Sequence, residues 1–322
     1  MSIKHFLSQN KRLYDCTKNI YLKWNFKRNE RIAEGGVDAV RRELTKKFEK
    51  WLHYPPDFEN PQSFNEKLNW LKLYYYDENI AECCDKNRVR SYVKNKGLED
   101  LLIPQIGVFK TAEEIDFEKL PDKFVLKPSH DSGHTIICSD KNNLNIKDVC
   151  KRLDHWLKTD YVWSAFEWCY HNDNPVIVCE TLLEDNNVHE IYDYKFFCFN
   201  GEPQYIFFVS DRKHHAKSDF YNMDWKRQTD FRWMYEPSGI NHPRPVNFEK
   251  MKEYARILSK DFPFVRVDFY EVNGKVYFGE MTFFHGGGYG WFEPREYDYK
   301  LGHMLNLPLK SEVNPWIIIN RK

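Results

Sequence analysis

The sequence predicts an α+β chain rather than a doubly wound parallel sheet. Short strand-like runs follow one another with helices placed irregularly between them, two Asn-Gly turns join neighbouring runs as hairpins, and a basic helical segment precedes the rest. Residues 1–54 read as mostly helical, broken at Gly35-Gly36 and stopped before Pro55-Pro56. Ser63, followed three residues later by Glu66, has the form of a capping box, and Phe64, Leu68 and Leu71 give the helix it opens one buried face. A second helix is predicted from Lys86 to Lys94, ending near Gly97. Leu101–Pro104, Lys123–Lys127 and Thr135–Cys138 then read as short strands, and Leu144–Leu157 as a helix with Trp156 on its apolar side.

The second half is richer in strands. Pro175–Glu180, Asp193–Phe199 and Gln204–Val209 read as one ladder, with Asn200-Gly201 turning between the last two. A helix over Phe248–Ser259 leads into Phe264–Tyr270, the turn at Asn273-Gly274, and Lys275–Met281.

Composition narrows the class. The 322 residues carry 48 Lys+Arg against 48 Asp+Glu, and no run of about 18 apolar residues could cross a membrane. The first residues are too polar for a secretory signal, so a cytoplasmic protein is expected. Eight scattered cysteines show no C-x-x-C spacing and read as structural thiols. The zero sum hides an asymmetry: residues 1–50 hold 13 Lys+Arg and 6 Asp+Glu. That end is either a contact for an anionic membrane face or polymer, or a solvated face packed on the body.

Three groups of residues could carry chemistry. Folding about Asn273-Gly274 brings Asp268 and Glu280 together, and paired carboxylates on a sheet repel unless a cation or shared proton relieves them. Such oxygen ligands suit Mg²⁺, although an Asp/Glu hairpin pair is also common surface decoration. Arg266, two residues before Asp268, shares its strand face and could meet a phosphate. Lys127 ends an apolar strand before the loop Pro128–His134, offering a cation beside backbone N–H groups. The run Gly286-Gly287-Gly288 permits either close approach by a ligand or a tight turn.

In order along the chain, Asp85-Lys86, Phe124–Ser129, Val178-Cys179-Glu180, Arg266-Val267-Asp268 and Gly279–Thr282 resemble the ATP-grasp superfamily, in the spacing of its carboxylate–amine ligases. Ser63–Leu73, Tyr194–Gly201, Asp261–Tyr270 and Glu296–Gly302 are similar to the TupA-like branch, whose members occur in polysaccharide and teichuronopeptide biosynthesis. The resemblance spans roughly residues 55–305. It implies an ATP-grasp fold of two α+β lobes enclosing a nucleotide, preceded by the basic helical segment: residues 1–54, a first lobe over 55–182, a second over 183–305, and a tail over 306–322.

The resemblance further implies ATP and Mg²⁺ as cofactors. Lys86 and Lys127 match the lysines that embrace the phosphates, Ser132 and Gly133 the loop beside them, and Glu180, Thr181 and Leu182 the strand that reads adenine. Asp268 and Glu280 match the Mg²⁺ carboxylates and Arg266 the phosphate-side arginine. Thr282 replaces the Asn ligand of better-known ligases. Lys195 and Arg212 fall on the lobe facing the acyl substrate or γ-phosphate, and His285, Gly287 and Tyr289 are assigned to the substrate side. Phe283, Phe284, Tyr289 and Trp291 are the aromatics expected to face a sugar.

The implied activity is ADP-forming ligation of a carboxylate, a uronic acid or amino acid, to an amine. The partners are small-molecule or glycan substrates, with no nucleic acid, and the basic end is offered to a membrane face or to polysaccharide assembly machinery. A glycosyltransferase is an alternative, although the chain contains no D-x-D. A phosphotransferase and a non-catalytic nucleotide-binding module are the others.

Overall fold

The computed structural model describes residues 11–185, 191–210 and 216–319. Helices α1 (Lys11–Glu34) and α2 (Gly36–Leu52) open it, hinged at the predicted glycine pair, where Gly36 takes a φ of 73°. One face of the pair packs on the body through Val40, Leu44 and Phe48, and the Asn29 amide donates to the Trp163 carbonyl at 2.6 Å. Among the described residues no helix is long and apolar enough to cross a membrane.

Helix α3 (Phe64–Tyr74) starts from the predicted capping box. Glu66 accepts from the backbone N–H groups of Ser63, Gln62 and Asp57 at 2.9, 2.9 and 3.0 Å, and Ser63 Oγ accepts from the Glu66 N–H. The expectation of a single buried face falls short, because Asn65, Glu66, Asn69 and Lys72 are buried too. Their polar atoms have partners, which is what permits the burial: Asn65 and Asn69 donate to the Gly290 and Gly288 carbonyls, and Lys72 Nζ to those of Gly287 and Ala165.

Between Asp77 and Lys96 the chain forms α4 (Glu78–Cys84), which the sequence reading missed, and α5 (Val89–Asn95), shorter than predicted. Asp85 Oδ1 accepts from the N–H groups of Asn87 and Arg88, so Lys86 sits in a turn between helices rather than in one. Leu101–Pro104 is not a strand either. A 3₁₀ turn covers Glu99–Leu101, and β1 (Gln105–Phe109) begins only after Pro104, which has no N–H to give a ladder.

A four-stranded antiparallel sheet follows, from β1, β2 (Phe124–Pro128), β3 (Ile136–Cys138) and β4 (Ile177–Thr181) in the order β1-β4-β2-β3. Its cover is α6 (Ile146–Leu157), with Val149, Leu153 and Trp156 buried; the short α7 (Val162–Ala165) comes next. The predicted ladder is corrected here: β4 pairs with β1 and β2, not with the strands after it. An apolar run specifies a strand without specifying its neighbours.

The larger sheet has the order β11-β10-β5-β6-β7-β8. It contains β5 (Asp193–Phe199), β6 (Glu202–Ser210), β7 (Lys217–Asn222), β8 (Arg227–Gln228), β10 (Phe264–Val272) and β11 (Lys275–Thr282), while β9 (Arg232–Trp233) pairs with β12 (Phe292–Glu293) outside it. Helix α8 (Phe248–Ser259) packs on this sheet over the predicted residues. Both hairpin turns hold two positive φ values, 52° and 84° at Asn200-Gly201 and 50° and 73° at Asn273-Gly274, as the Asn-Gly signal requires.

The Phe64 ring packs against Phe197, Phe199 and Phe264 of this sheet, although α3 lies before the small sheet in the chain. Helices α9 (Glu296–Met304) and α10 (Pro315–Ile319) close round α3. Asp298 accepts from the Asn65 N–H at 3.0 Å, and Trp316 Nε1 donates to the Lys72 carbonyl. The cysteines with described side chains are free, and all except half-buried Cys150 are buried, in keeping with structural thiols.

Two stability predictions follow from α3. Glu66→Ala leaves three backbone N–H groups without their charged acceptor and is expected to lower unfolding free energy by about 3 kcal/mol in a urea titration. Burial pushes the Asp298 carboxyl up to about 6, above its value of about 4 in an unfolded chain. The folded state thus binds this proton more tightly, a contribution present below about pH 4 and lost as pH rises through about 6. Urea titrations across that range should show a flatter stability profile for Asp298→Asn than for the unmodified protein.

Candidate functional site

A cleft of about 520 Å³ opens between the two sheets. Val125 and Lys127 of β2, Ile137 of β3, and Glu180 with Thr181 of β4 form one wall; Asp193 and Lys195 of β5, Tyr270 of β10, and Phe278, Gly279 and Glu280 of β11 form the other. Lys86 and Arg90 reach in from the α4–α5 turn and α5, and Ser132 with Gly133 from the loop after β2. All eight residues expected at the nucleotide line this space: Lys86, Lys127, Ser132, Gly133, Glu180, Thr181, Leu182 and Lys195. They come from three turn or loop segments and three strands, so only folding unites them.

The cations are held by local contacts. Lys86 is anchored to the loop by its N–H to the Ser129 carbonyl at 2.8 Å, and its Nζ bonds to the Asp131 carbonyl and lies 3.3 Å from Asp131 Oδ1. Lys127 Nζ donates to Glu180 Oε2 at 2.9 Å, and Arg90 reaches Glu180 Oε1 at 3.4 Å. The Glu180 side chain is therefore engaged with cations, and the Thr181 N–H is taken by the Pro104 carbonyl. Of the expected adenine-reading strand, these groups already have partners within the protein.

The floor of the cleft is an ion network on β10, β5 and β11. Lys195 stands directly opposite Asp268 in the β5–β10 register, and Arg266 shares the Asp268 strand face, as the alternation of side chains predicted. Arg266 Nε and Nη2 donate to the two oxygens of Asp268 at 2.7 and 2.6 Å, and Nη2 also to Glu280 Oε1 at 2.6 Å. Lys195 Nζ bonds to both Asp193 and Asp268. Burial pushes the Asp268 carboxyl up, with Arg266 and Lys195 pulling it down. Burial pushes Glu280 the same way, yet Arg266, Lys195, Lys86 and Lys127 together hold it at about 2. Four cations thus converge on one carboxylate at the cleft wall.

His285 completes the network from beneath. Arg266 Nη1 can only donate, so His285 Nδ1, 3.0 Å away, accepts and the ring proton sits on Nε2. Burial, reinforced by Arg266 and Lys195, pushes its pKa well below the ordinary histidine value and keeps it neutral.

The expected metal pair divides. Glu280 lines the cleft, with Oε1 bonded to Arg266 and Thr282 and no hydrogen bond to Oε2 among the described residues. It fits a Mg²⁺ that takes its other ligands from water and phosphates. Asp268 does not fit: it is 0% exposed, lies in the middle of β10 rather than at its end, and has both oxygens filled by Arg266 and Lys195. Among the described residues no group of three or more His, Cys, Asp or Glu is placed to hold a metal.

The assignment of Gly287 and Tyr289 to substrate is corrected as well. The Gly287 carbonyl accepts from Lys72 Nζ at 2.5 Å, Lys72 lies 4.9 Å from the Tyr289 ring centre, and a Cβ on Gly288 would come within 2.7 Å of Asn69. Gly288 has no side chain and so can lie against α3, while a Cβ on Gly286 would strike Trp233. Phe283 and Phe284 are buried against Phe262 and Trp168, and His285 touches Arg266 without lining the cleft. Trp291 is half-buried, with the Arg232 guanidinium 5.5 Å from its ring centre. Arg212 lies outside the described residues. The reading missed Arg90, Asp131 and Asp193, whose roles rest on cross-element contacts that no local pattern announces.

The profile of the TupA-like ATPgrasp family matches residues 66–306. No curated protein sequence matches the chain significantly. Among solved structures, D-alanine–D-alanine ligase from Bacillus anthracis is similar at 16% identity and a TM-score of 0.42, over 67% of this chain and 63% of the ligase. The Helicobacter pylori D-alanine–D-alanine ligase matches at 13% identity and a TM-score of 0.41, over 76% and 70%. N5-carboxyaminoimidazole synthase from Aspergillus clavatus, solved with ADP and 5-aminoimidazole ribonucleotide, matches at 11% and 0.38, over 64% and 45%.

The network separates cations that hold the fold from cations that face the cleft. Arg266→Met leaves buried Asp268 with Lys195 alone and removes the cation shared with Glu280, and it should cost about 3–5 kcal/mol. Lys127→Met should cost about 1 kcal/mol or less, since Glu180 keeps Arg90; paired denaturant titrations measure both.

Proposed function

The chain belongs to the TupA-like ATP-grasp family, and on that premise we propose that it is an ADP-forming ligase that joins a carboxylate to an amine. The observation that carries the reading is the convergence of Lys86, Lys127, Lys195 and Arg266 on Glu280 in a cleft that also has apolar walls. A triphosphate needs such a set of fixed cations, and a nucleobase needs the apolar surface of residues such as Val125, Ile137 and Tyr270. In this reading the nucleotide lies between a lobe over 55–182 and a lobe over 183–305.

A carboxylate is a poor acyl donor because oxide is a bad leaving group. Attack of a carboxylate oxygen on the γ-phosphorus of ATP forms a C–O–P linkage and releases ADP. The amine then attacks the carbonyl carbon, phosphate departs with the C–O bond, and the amine loses a proton to solvent. Lys86 and Lys127 neutralise and position the phosphates from the small sheet, and Lys195 does so from the large one. Arg266 is fixed by Asp268 and His285 so that its remaining charge is directed at Glu280 and the cleft. Glu280 would hold Mg²⁺, which would supply positive charge to offset that of the phosphates. The chemistry requires no protein nucleophile, and the described residues that line the cleft include no Ser/His/Asp or Cys/His set.

The finer reading takes the carboxylate as a uronic acid of a surface polysaccharide, modified in the cytoplasm where ATP is made. Purified protein with Mg-ATP, a uronate and a primary amine is expected to release equimolar ADP and phosphate with an amide product by mass spectrometry. AMP, a stable phosphoester, or consumption of a nucleotide sugar without ADP would overturn it. Glu280→Gln should retain the fold and lower turnover roughly a hundredfold or more, because it removes the carboxylate charge that would hold Mg²⁺ at the phosphates.

A further inference from the structure

Outside the ATP cleft, and sharing no residue with it, a groove of about 630 Å³ runs between α1 and α2. Trp24, Lys27, Arg28 and Arg31 line it from α1, and Arg42, Glu43 and Lys46 from α2. Spacings of three and four residues put each set on one helical face. Two bonds of 2.7 and 2.8 Å tie Arg28 to buried Glu43 across the groove floor, so these two charges cancel and brace the helices. Lys27, Arg31, Arg42 and Lys46 remain, all exposed, and none makes an ion pair among the described residues.

A solvated helical face ordinarily mixes charge signs at neighbouring positions. Here four like charges share one concavity, where they repel each other and focus a positive potential. Trp24, 61% exposed at the same groove, adds a flat apolar ring. A bilayer would call for an apolar face opposite the charges, whereas the exposed large apolar residues among the described side chains of the two helices are Leu22, Trp24 and Trp51 alone. A single-stranded nucleic acid would call for several stacking rings along the track, and a duplex would leave the indole without a role. An anionic carbohydrate satisfies both features: regularly spaced carboxylates for the cations, and the C–H face of a sugar ring for the indole.

We propose that the α1–α2 groove is a binding site for a carbohydrate polyanion bearing carboxylates on successive sugar units. Its role in holding the polymer that the cleft modifies rests on the ligase reading; the binding itself does not.

Titration of the 322-residue protein with polygalacturonate fragments in the absence of nucleotide, followed by intrinsic fluorescence with Trp24→Phe assigning the Trp24 share of the signal, tests the site. Expected are saturable binding that weakens as salt rises, no binding of neutral dextran, and affinity at least roughly tenfold lower in Arg31→Gln/Arg42→Gln. Circular dichroism checks that this variant is folded, and Lys27→Gln/Lys46→Gln provides an independent second pair. Equal binding of dextran, unchanged affinity in both folded double variants, or preference for anionic vesicles or single-stranded RNA over polygalacturonate would overturn the proposal. Because no nucleotide is present, failure here leaves the ligase reading intact, and failure of the ligase assay leaves this titration's result intact.

Discussion

A guanidinium buried between sheets has to be paired, and the pairing of Arg266 organises the centre of this protein. Its Nε, Nη1 and Nη2 donate to Asp268, Glu280 and His285 in four hydrogen bonds. Asp268 in turn needs Lys195, which the antiparallel register of β5 and β10 sets directly opposite it. Charge neutrality in the interior thus fixes the relative placement of three neighbouring strands. It also leaves one carboxylate, Glu280, at the surface of the cleft among Arg266, Lys195, Lys86 and Lys127, each of which holds a further carboxylate as well.

The same logic of satisfied burial governs α3. Asn65, Asn69 and Lys72 are enclosed on a helix that carries the signature of a half-exposed one, and each is answered by carbonyls of the glycine loop or of Ala165. Burial lowers the Lys72 amine to about 8, countered by Glu167, so that even this group is held near the edge of its charged state. The glycines between Gly286 and Gly290 permit the loop's approach, and α9 and α10 close round the helix. The scaffold that carries β10 and β11 is therefore locked by a polar helix rather than an oily one.

The aromatic residues fall into place on the same terms. Rings of β5, β6, β7 and β10 pack edge-to-face among themselves, as Phe197 does with Phe207, Phe220 and Phe264. They form the large sheet's core, and Phe283 and Phe284 belong with them. Trp24 is 61% exposed in a groove lined by Lys27, Arg31, Arg42 and Lys46, on helices whose described residues do not line the cleft.

By itself the sequence determined whatever depends on near neighbours. The capping box at Ser63 and Glu66, the hairpins at Asn200-Gly201 and Asn273-Gly274, helix Phe248–Ser259, and the shared face of Arg266 and Asp268 all follow from spacing, turn chemistry or alternation. The motifs round Lys86, Lys127, Glu180 and Glu280 also identified the cleft residues before any fold was in hand. Only the tertiary structure decided strand partners and the use of each charge. That β4 joins the small sheet, that Lys195 fills Asp268, and that Glu180 answers Lys127 and Arg90 depends on contacts between residues far apart in the chain. A local pattern records that a side chain is charged and which way its strand faces. Whether that charge is spent on a buried partner or left for a ligand depends on what the rest of the chain brings opposite it.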